Sequence, residues 1–445
     1  MAWQNLVERY LAPRFSEAVS APIATIYFQH QPQPMRILHT ADWHLGLRLN
    51  GRYRHDEQEA VLDELCRIAD DQQIDAVVIA GDVFDTYNPP TESESLFYRT
   101  MTRLSNGGRR AIIVIAGNHD SPDHLVATDP YARGLGIVTV GHPKDAPLLF
   151  DGGTERVSCL QTAPSFVRLR TPRNGQILSV LALPYPSESR LREVLTRDIS
   201  DEETAMADYN RRIKEFMEET ARLFADGGAN IITSHLFVGG GMESDSERQI
   251  QVGGAYVVDR QSFPASAGYV ALGHLHRPQE QCGQDELPVR YSGSILQYSM
   301  SEAGQQKSVT VVEFGSDGRA SYHTIPLTAG RTLLRIHVES VAELEAKLAE
   351  ADPQSWIDIV LRLQEPLNAD YGRQLRAAHP NILGFIPQYQ LGDADPQAIS
   401  IGSLAPQEQF RRFVEQAHGE PVSDEVMKLF LELVGAEPGD SLGEE

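Results

Sequence analysis

The sequence places Asp42 and His44 directly after a short hydrophobic run at residues 37–40. Side chains two positions apart in an extended segment point to the same side, so these two can converge on one point beyond a strand. A carboxylate oxygen and an imidazole nitrogen that converge in this way suit a divalent transition metal. One such pair is weak evidence by itself, because Asp and His are common near strand ends.

Four further segments repeat this arrangement. Hydrophobic runs at residues 74–80, 111–116, 230–234 and 268–272 predict buried strands, and donor residues follow each of them. Open α/β sheets bind ligands beyond the carboxyl ends of their strands. Glycines beside three of the sites allow the sharp turns and the close backbone approach that an ion requires. The donors after these runs are Asp82; Asn118, His119 and Asp120; His235; and His274 and His276.

These motifs resemble the calcineurin-like metallophosphoesterase superfamily in their order, which reads D-x-H, GD, GNHD, H and GHxH. The SbcD family of bacterial nuclease subunits is the most similar group, on the segments ILHTADWHLG, IAGDVFD, IAGNHDSP and GHLH. The combined order is far more specific than any single motif. The resemblance runs from Met35 into the C-terminal region, and it implies a two-sheet α/β sandwich that hydrolyses phosphodiesters.

Seven of these side chains are predicted ligands, which is too many for one ion but suits two octahedral ions with solvent in the open positions: Asp42, His44, Asp82, Asn118, His235, His274 and His276. A mixture of carboxylate, amide and imidazole ligands indicates Mn²⁺, whereas a zinc site rich in thiolates would need cysteine ligands. The resemblance also implies manganese. The superfamily pattern further implies that Asp82 bridges the two ions. It assigns Asp42, His44, Asp82 and His276 to one ion, and Asp82, Asn118, His235 and His274 to the other.

His119 follows a predicted ligand but is not needed for coordination. The resemblance makes it the candidate that protonates the leaving oxygen or orients the scissile phosphate, with a purely structural hydrogen bond as the alternative. Asp120 is expected to pair with His119 and position it. Asp85 stands where several archaeal and eukaryotic relatives carry a second catalytic histidine. Bacterial SbcD-type sequences tolerate aspartate there, so the predicted activity is retained.

Composition limits the classes of protein that this chain can be. Its 445 residues suffice for two or three domains, and no apolar run is long enough to span a bilayer. The N-terminal segment lacks a signal-peptide core, and three isolated cysteines predict neither a disulfide framework nor a zinc finger. A cytoplasmic protein without membrane association is therefore expected.

The net charge of −23 argues against strong DNA binding, because DNA-binding proteins usually carry a basic surface. Part of the excess is local, since residues 391–445 hold 12 acidic and 3 basic residues. A partner is therefore expected to supply much of the grip on DNA. The loop after His44 is nevertheless rich in arginine. Its candidates for phosphate contacts are Arg48, Arg52 and Arg54, and an ordinary solvated loop is the alternative.

Four regions are expected along the chain. Residues 1–34 match nothing in the family pattern and are interpreted as an extension upstream of a true start at Met35, with an N-terminal helix as the alternative. Residues 35–325 are predicted to form the metallophosphoesterase domain. Residues 326–400 are predicted to form a small α/β capping domain, which helps SbcD-like proteins to seat DNA. Residues 401–445 carry two amphipathic helices and a disordered tail.

The predicted C-terminal helices have two interpretations. Their spacing alone is equally consistent with packing onto the chain's own core. The resemblance instead favours binding to the coiled-coil base of an SbcC-type ATPase. It also implies a homodimer of this chain within a heterotetramer.

Three hypotheses for function follow. The first is a Mn²⁺-dependent nuclease, with 3′→5′ exonuclease activity on duplex ends and endonuclease activity on single strands or hairpins. The resemblance implies that it works with the ATPase in DNA repair, recombination and replication. The second hypothesis is hydrolysis of small phosphodiesters or nucleotides at the same site. The third is a scaffold that has lost its metals, and the complete set of donors argues against it.

Overall fold

The computed structural model divides into two compact units, one ending at Leu333 and the other beginning at Leu334. It describes residues 33–173, 175–187, 202–247, 257–281, 287–363 and 370–389, with 407–411, 414, 422–423, 426–427 and 429–430 near the C-terminus. The predicted N-terminal extension up to residue 32 lies outside the described residues. Most of the predicted C-terminal helices lie outside them as well.

A mixed sheet of six strands, the first sheet, forms one half of the N-terminal unit. Its strands are β1 (Met35–Thr40), β2 (Ala76–Ile79), β3 (Ala111–Ile115), β4 (Ile137–Val140), β14 (Ser308–Phe314) and β15 (Ala320–Pro326). The order across the sheet is β15–β14–β1–β2–β3–β4. Strands β1 to β4 are parallel, and β14 pairs antiparallel with both of its neighbours. Continuous hydrophobic runs form β2 and β3 because both faces of these strands are buried.

A sheet of seven strands, the second sheet, forms the other half. Its strands are β5 (Ser158–Ala163), β6 (Phe166–Arg170), β7 (Ile177–Leu183), β8 (Ala229–His235), β11 (Tyr269–Gly273), β12 (Gln279–Glu280) and β13 (Val289–Tyr291). They lie in the order β12–β13–β11–β8–β7–β6–β5, and the four strands from β13 to β7 are parallel. Two short strands, β9 (Phe237–Val238) and β10 (Val257–Val258), pair with each other.

The two sheets pack face to face, with helices on their outer faces. Ile37 and Val78 of the first sheet share a core with Val180 of the second, whereas their neighbours Leu38 and Val77 pack on the opposite face, against α1 and α2. This alternation is the period of two that strands require. The predicted two-sheet α/β sandwich is therefore confirmed. The α-helices in the described part of this unit are α1 (His55–Asp71), α2 (Thr91–Leu104), α3 (Pro122–Val126), α4 (Asp129–Ala132) and α5 (Glu202–Ala221), and α5 covers the second sheet.

The C-terminal unit contains a small α/β layer. Its elements are β16 (Leu333–Val338), α6 (Val341–Glu350), β17 (Trp356–Leu363), α7 (Tyr371–Ala378) and β18 (Ile382–Tyr389). The strands form one sheet in the order β16–β17–β18, and its core includes Ile336, Leu344 and Ile359. The capping role of this unit stays a prediction. Among the described residues, no helix combines the length and the apolar character needed to cross a membrane.

Candidate metal centre

Five strands bring their carboxyl ends to one edge of the sandwich. Strands β1, β2 and β3 are parallel neighbours in the first sheet, and a 3.0 Å hydrogen bond from the Asp42 N–H to the Gly81 carbonyl joins the loops after β1 and β2. In the second sheet, β8 ends at His235 in register with Gly273 at the end of β11. Because the sheets pack face to face, the donors that follow these strands meet at one place.

Asp82 lies in the middle of the predicted ligands. Its Oδ2 atom is 3.5 Å from His44 Nε2 and 3.3 Å from His235 Nε2. On one side, His44 Nε2 faces His276 Nε2 at 3.0 Å, and on the other, His235 Nε2 faces Asn118 Oδ1 at 2.8 Å. All five side chains are buried. This central position is the one that a bridging carboxylate must occupy.

Asp42 belongs to two groups of three residues, and within each group the donor atoms lie within 4.8 Å of one another. One group contains Asp42, His44 and His276, and the other contains Asp42, Asp82 and His235. His274 lies at the margin of the cluster. Its ring centroid is 5.4 Å from that of His235, and it belongs to none of the three-residue groups found among the described residues. Its backbone N–H donates to Asp42 Oδ1 at 2.9 Å. The main chain at His274 is thus fixed to the cluster, with its ring next to His235.

The buried charges of this cluster fit divalent cations. Among the described residues of the cluster, Asp42 Oδ2 is buried without a hydrogen-bond partner. Burial raises the pKa of Asp42 to about 7, and the neighbouring Asp82 carboxylate adds to the rise. Burial lowers the pKa of His235, but the neighbouring Asp82 carboxylate outweighs burial and raises this pKa to about 9. Buried carboxylates in this position call for nearby positive charge, which metal ions supply.

Four of the predicted ligands have a backbone conformation that residues with side chains rarely adopt. The φ angles are 53° at Asp42, 42° at His44, 49° at Asp82 and 104° at His274. Only four other non-glycine residues of the described chain have positive φ. Such conformations cost about 1–3 kcal/mol each and persist only where the surrounding structure enforces them. Their concentration here indicates that this edge is shaped for function rather than for stability.

Gly81 explains how the chain turns so tightly before Asp82. Its φ angle is +90°, and a Cβ at this position would lie 2.4 Å from His235 Nδ1. A larger residue would therefore push the His235 ring away from the centre. The sharp turn predicted from the glycines is confirmed at this position.

His119 lies beside the cluster, with its ring edge-on to that of His44 at a centroid distance of 4.8 Å. Its backbone N–H donates to Asp82 Oδ1 at 2.9 Å, and its Nδ1 lies 2.8 Å from the Asp85 carbonyl oxygen. The ring is mostly but not fully buried, since 13% of the side chain is exposed. The structure thus brings His119 to the predicted ligands and leaves part of its ring accessible to a substrate.

Asp120 does not form the predicted pair with His119 in the contacts of the described residues. Its carboxylate instead fixes the main chain of the two ligand-bearing loops after β2 and β3 to each other. The expected role of Asp120 in positioning the His119 ring is therefore corrected, because main-chain N–H groups occupy both oxygens of its carboxylate. The backbone N–H groups that donate to it are those of Val83, Phe84 and Gly117, at 3.2, 2.9 and 2.8 Å.

Known proteins resemble this chain along most of its length. A family model described as calcineurin-like phosphoesterase matches residues 35–278, and one described as type 5 capsule protein repressor C-terminal domain matches residues 330–418. The SbcD subunit of the SbcCD nuclease of Bacillus subtilis (strain 168) is 43% identical over 411 residues, which cover 92% of this chain and 100% of that protein. The chain belongs to the SbcD family of calcineurin-like phosphoesterases.

Two further relatives of this SbcD-family chain match over shorter lengths. The protein of the same name from Rhodobacter capsulatus is 37% identical, covering 72% of this chain and 75% of that protein. The one from Escherichia coli (strain K12) is 31% identical, covering 77% of this chain and 82% of that protein. The family resemblance predicted from the motifs is confirmed.

The SbcD-family chain also holds polar residues around His276 that sequence reasoning did not identify. Ser246 Oγ is 2.7 Å and Glu302 Oε1 is 3.3 Å from His276 Nδ1. Glu302 is fully buried and pairs with Lys307 at 2.5 Å. These residues lie in polar segments without a motif or a hydrophobic period, so no local signal distinguishes them from solvated residues.

The arginine-rich loop of the SbcD-family chain has mixed surroundings. Arg54 is buried, and its guanidinium donates to both carboxylate oxygens of Glu57 and to the Gln297 carbonyl. These contacts engage Arg54 inside the protein and leave it poorly suited to bind a phosphate. Arg48 and Arg52 are exposed. We therefore retain Arg48 and Arg52 as the candidates for DNA contacts.

Proposed function

We propose that this chain hydrolyses DNA phosphodiesters as the nuclease subunit of an SbcC–SbcD-type complex. The observation that carries the proposal is the buried cluster of carboxylate, amide and imidazole donors at the strand ends. Family membership supports it, because the relative that is 43% identical is named as a nuclease subunit. The match to the calcineurin-like phosphoesterase family, together with this cluster, supports a metal-dependent phosphodiesterase.

The proposed cofactors are two divalent metal ions, and Mn²⁺ is the expected metal. When bound, such a pair supplies a nucleophilic water near neutral pH and offsets the charge of the phosphate. The chain's own part is to hold the donor atoms together, which the hydrogen bonds of Asp82 and Asp120 to neighbouring loops support. One ion is assigned to Asp42, His44, Asp82 and His276, and the other to Asp82, Asn118, His235 and His274.

A cleft of about 510 Å³ adjoins the cluster and supports a substrate larger than a single phosphate. Two of its lining residues contact predicted ligands: the Asp85 carboxylate is 3.6 Å from His44 Nδ1, and Ser246 contacts His276. Exposed Arg48 also lines the cleft. A nucleotide chain that enters this cleft would have a phosphate next to the donor cluster and the Arg48 guanidinium at the rim.

His119 is the proposed residue for the leaving group. A carbonyl oxygen only accepts hydrogen bonds, so Nδ1 must carry the proton in its contact with Asp85. That leaves Nε2 for the substrate, where the protonated ring can donate to the leaving oxygen or to a phosphate oxygen. The main-chain bond from His119 to Asp82 holds this ring close to the cluster.

Replacing His119 with alanine is expected to reduce DNA cleavage by roughly 10²–10⁴-fold, the usual range for loss of a general acid. Mn²⁺ binding should remain at two ions per chain, because His119 is not a proposed ligand. The measurement is cleavage of end-labelled duplex DNA, together with titration of Mn²⁺ into the metal-free chain. His323→Ala is the matched control, because His323 is exposed on β15. Undiminished cleavage by His119→Ala would refute the assigned role.

The substrate class is tested by comparing rates on DNA with rates on small phosphodiesters. We expect Mn²⁺-dependent 3′→5′ cleavage of duplex ends and endonuclease cleavage of single strands and hairpins. Bis-p-nitrophenyl phosphate and cyclic nucleotides should be turned over more slowly. A preference for the small substrates would move the assignment to a small-molecule phosphodiesterase. Fewer than two bound Mn²⁺ ions per chain would instead favour a scaffold.

Arg48→Ala and Arg52→Ala should weaken DNA binding without changing its sequence preference. Each arginine that contacts a phosphate contributes about 0.9 to the slope of log K against log salt concentration. The double variant should therefore have a shallower salt dependence, measured by fluorescence anisotropy with a labelled hairpin. Arg319→Ala is the control, because the Arg319 side chain is 91% exposed on the turn between β14 and β15. An unchanged slope in the double variant would exclude both contacts.

The proposed partners are DNA and an SbcC-type ATPase that binds residues 401–445. A homodimer of this chain within a heterotetramer, and a cytoplasmic location, are part of the same proposal. Co-purification of the full chain with such an ATPase tests the partner. Deleting residues 401–445 should abolish co-purification and preserve hydrolysis of bis-p-nitrophenyl phosphate. If the chain without residues 401–445 still co-purifies with the ATPase, the ATPase must bind another surface of the chain.

A further inference from the structure

The imidazole of His276 has polar groups on both sides. Its Nε2 faces His44 Nε2 at 3.0 Å within the donor cluster. Its Nδ1 faces away from the cluster, 2.7 Å from Ser246 Oγ and 3.3 Å from Glu302 Oε1. The hydroxyl of Ser246 also donates to Glu302 Oε1, so the three side chains form a closed group.

Glu302 is a charged residue in a place where charge is costly. It is fully buried, and its partner Lys307 is 5% exposed, with 2.5 Å between Lys307 Nζ and Glu302 Oε2. Lys307 Nζ also donates to the backbone carbonyl of His276 at 2.7 Å. A buried ion pair adds little net stability compared with apolar residues of the same size. This pair therefore needs another reason to lie against His276.

A second acid fixes the main chain at the same residue. The Glu247 carboxylate accepts the backbone N–H of His276 at 2.8 Å, and the N–H of Ser244. Both the ring and the backbone of His276 are thus held by residues of other segments. Each of the proposed ligands is buried, but His276 is the one whose outward nitrogen meets a buried carboxylate and its lysine.

We propose that Glu302 is a positioning residue for His276, acting directly and through Ser246, with Lys307 fixing its carboxylate. The proposal rests on the metal centre inferred above and extends it to residues that no motif includes. A carboxylate beside Nδ1 keeps the proton on that nitrogen, because the Nδ1–H group can donate to Ser246 or to Glu302. Nε2 then carries its lone pair toward the cluster, in the orientation that an ion requires.

The test is Mn²⁺ binding by the metal-free, full-length chain, measured by calorimetry with Mn²⁺ alone. Glu302→Gln is expected to weaken one of the two ions by roughly 10–100-fold, the usual effect of losing an outer partner of a ligating histidine. Ser246→Ala should have a smaller effect, because Glu302 remains within reach of Nδ1. Glu313→Gln, whose side chain is 31% exposed and pairs with Arg36, is the matched control and should bind both ions normally.

A second measurement separates positioning from general stability. Nitrogen-15 chemical shifts of the His276 ring in the metal-free chain should indicate a proton on Nδ1, and in Glu302→Gln a mixture of the two tautomers. If Glu302→Gln does not fold, the double variant Glu302→Gln/Lys307→Met removes the buried lysine charge together with its partner. The double variant should fold and bind one ion equally weakly.

Unchanged affinity for both ions in a folded Glu302 variant, with an unchanged ring tautomer, would overturn the proposal. That result would leave the proposed nuclease activity intact. Conversely, a wild-type chain that binds two Mn²⁺ ions but cleaves no DNA would reject the proposed function and leave the role of Glu302 standing. The two failures are therefore distinguishable.

Discussion

Replacing Asp82 with asparagine is expected to lower DNA cleavage by more than about 10³-fold and to prevent binding of both ions. The Asp82 carboxylate lies between His44 Nε2, at 3.5 Å, and His235 Nε2, at 3.3 Å. An amide is neutral, and if its one oxygen accepts the His119 N–H, its NH₂ group takes the place of Oδ2 and has no lone pair for a cation. The backbone contact of Asp82 with His119 can survive, because the amide oxygen still accepts. The effect should therefore fall on metal binding rather than on folding.

The decisive measurement for Asp82→Asn is thermal unfolding with and without Mn²⁺, alongside cleavage. A ligand that binds only the folded state raises its melting temperature, so Mn²⁺ should stabilise the wild type and leave this variant unchanged. Asp317→Asn is the control, because that side chain is 64% exposed on a surface turn. If Asp82→Asn still binds two ions and cleaves DNA, a bridging role for Asp82 is excluded.

Replacing Gly273 with alanine is expected to destabilise the N-terminal unit by about 3 kcal/mol or more, at the upper end of the range for overpacking. A Cβ at this position would lie 1.9 Å from the Ala80 carbonyl oxygen and 2.9 Å from His235 Nδ1. The nearest atom belongs to the backbone at the end of β2, so no side-chain rotation can make room. The same carbonyl lies 2.9 Å from His235 Nδ1, so any shift would also move a proposed ligand.

Urea unfolding of the purified chain measures the effect of Gly273→Ala. Gly134→Ala is a matched control, because no atom lies within 4 Å of a Cβ at Gly134 and its φ is not in the left-handed range. The control should unfold at nearly the wild-type urea concentration. An unfolding midpoint of Gly273→Ala that matches the control would mean that the sheets can separate locally at little cost.

The sequence was most informative where local pattern and chemistry coincide. Buried parallel strands are continuous hydrophobic runs, so β2 and β3 were visible as segments, and the donors directly after them were found without knowledge of the tertiary structure. Topology then brings these ends to one edge. The fold class, the family and the set of donors could therefore be predicted together.

The contacts around the donors could not be predicted, because they depend on residues far apart in the chain. Asp120 is adjacent to His119, yet its carboxylate accepts main-chain donors that include Phe84, 36 residues away. Arg54 resembles its exposed neighbours in sequence, but a contact with Gln297, 243 residues away, accompanies its burial. Sequence adjacency is a poor guide to such partners, since the folded chain supplies closer ones.

The predicted regions 1–34, 35–325, 326–400 and 401–445 stay predictions, as do the partner contacts of the last one. The compact units divide at Leu333 and Leu334, after the predicted boundary at residue 325. The intervening residues are held to α1, since Glu64 accepts the backbone N–H groups of Thr328 and Ala329 at 2.7–3.0 Å. Carboxylates on a helix can anchor a connection in this way without leaving a recognisable pattern.

The proposed ligands are shared between the two halves of the sandwich: Asp42 and Asp82 follow strands of the first sheet, whereas His235 and His276 belong to the second. Neither half can assemble a complete coordination sphere alone. The proposed cations would therefore bind only after the two halves have packed together, and would then link them. Amide hydrogens in both halves should then exchange more slowly when the cations are bound. Removing the cations with a chelator should speed exchange first where the two sheets meet, and only later within either half.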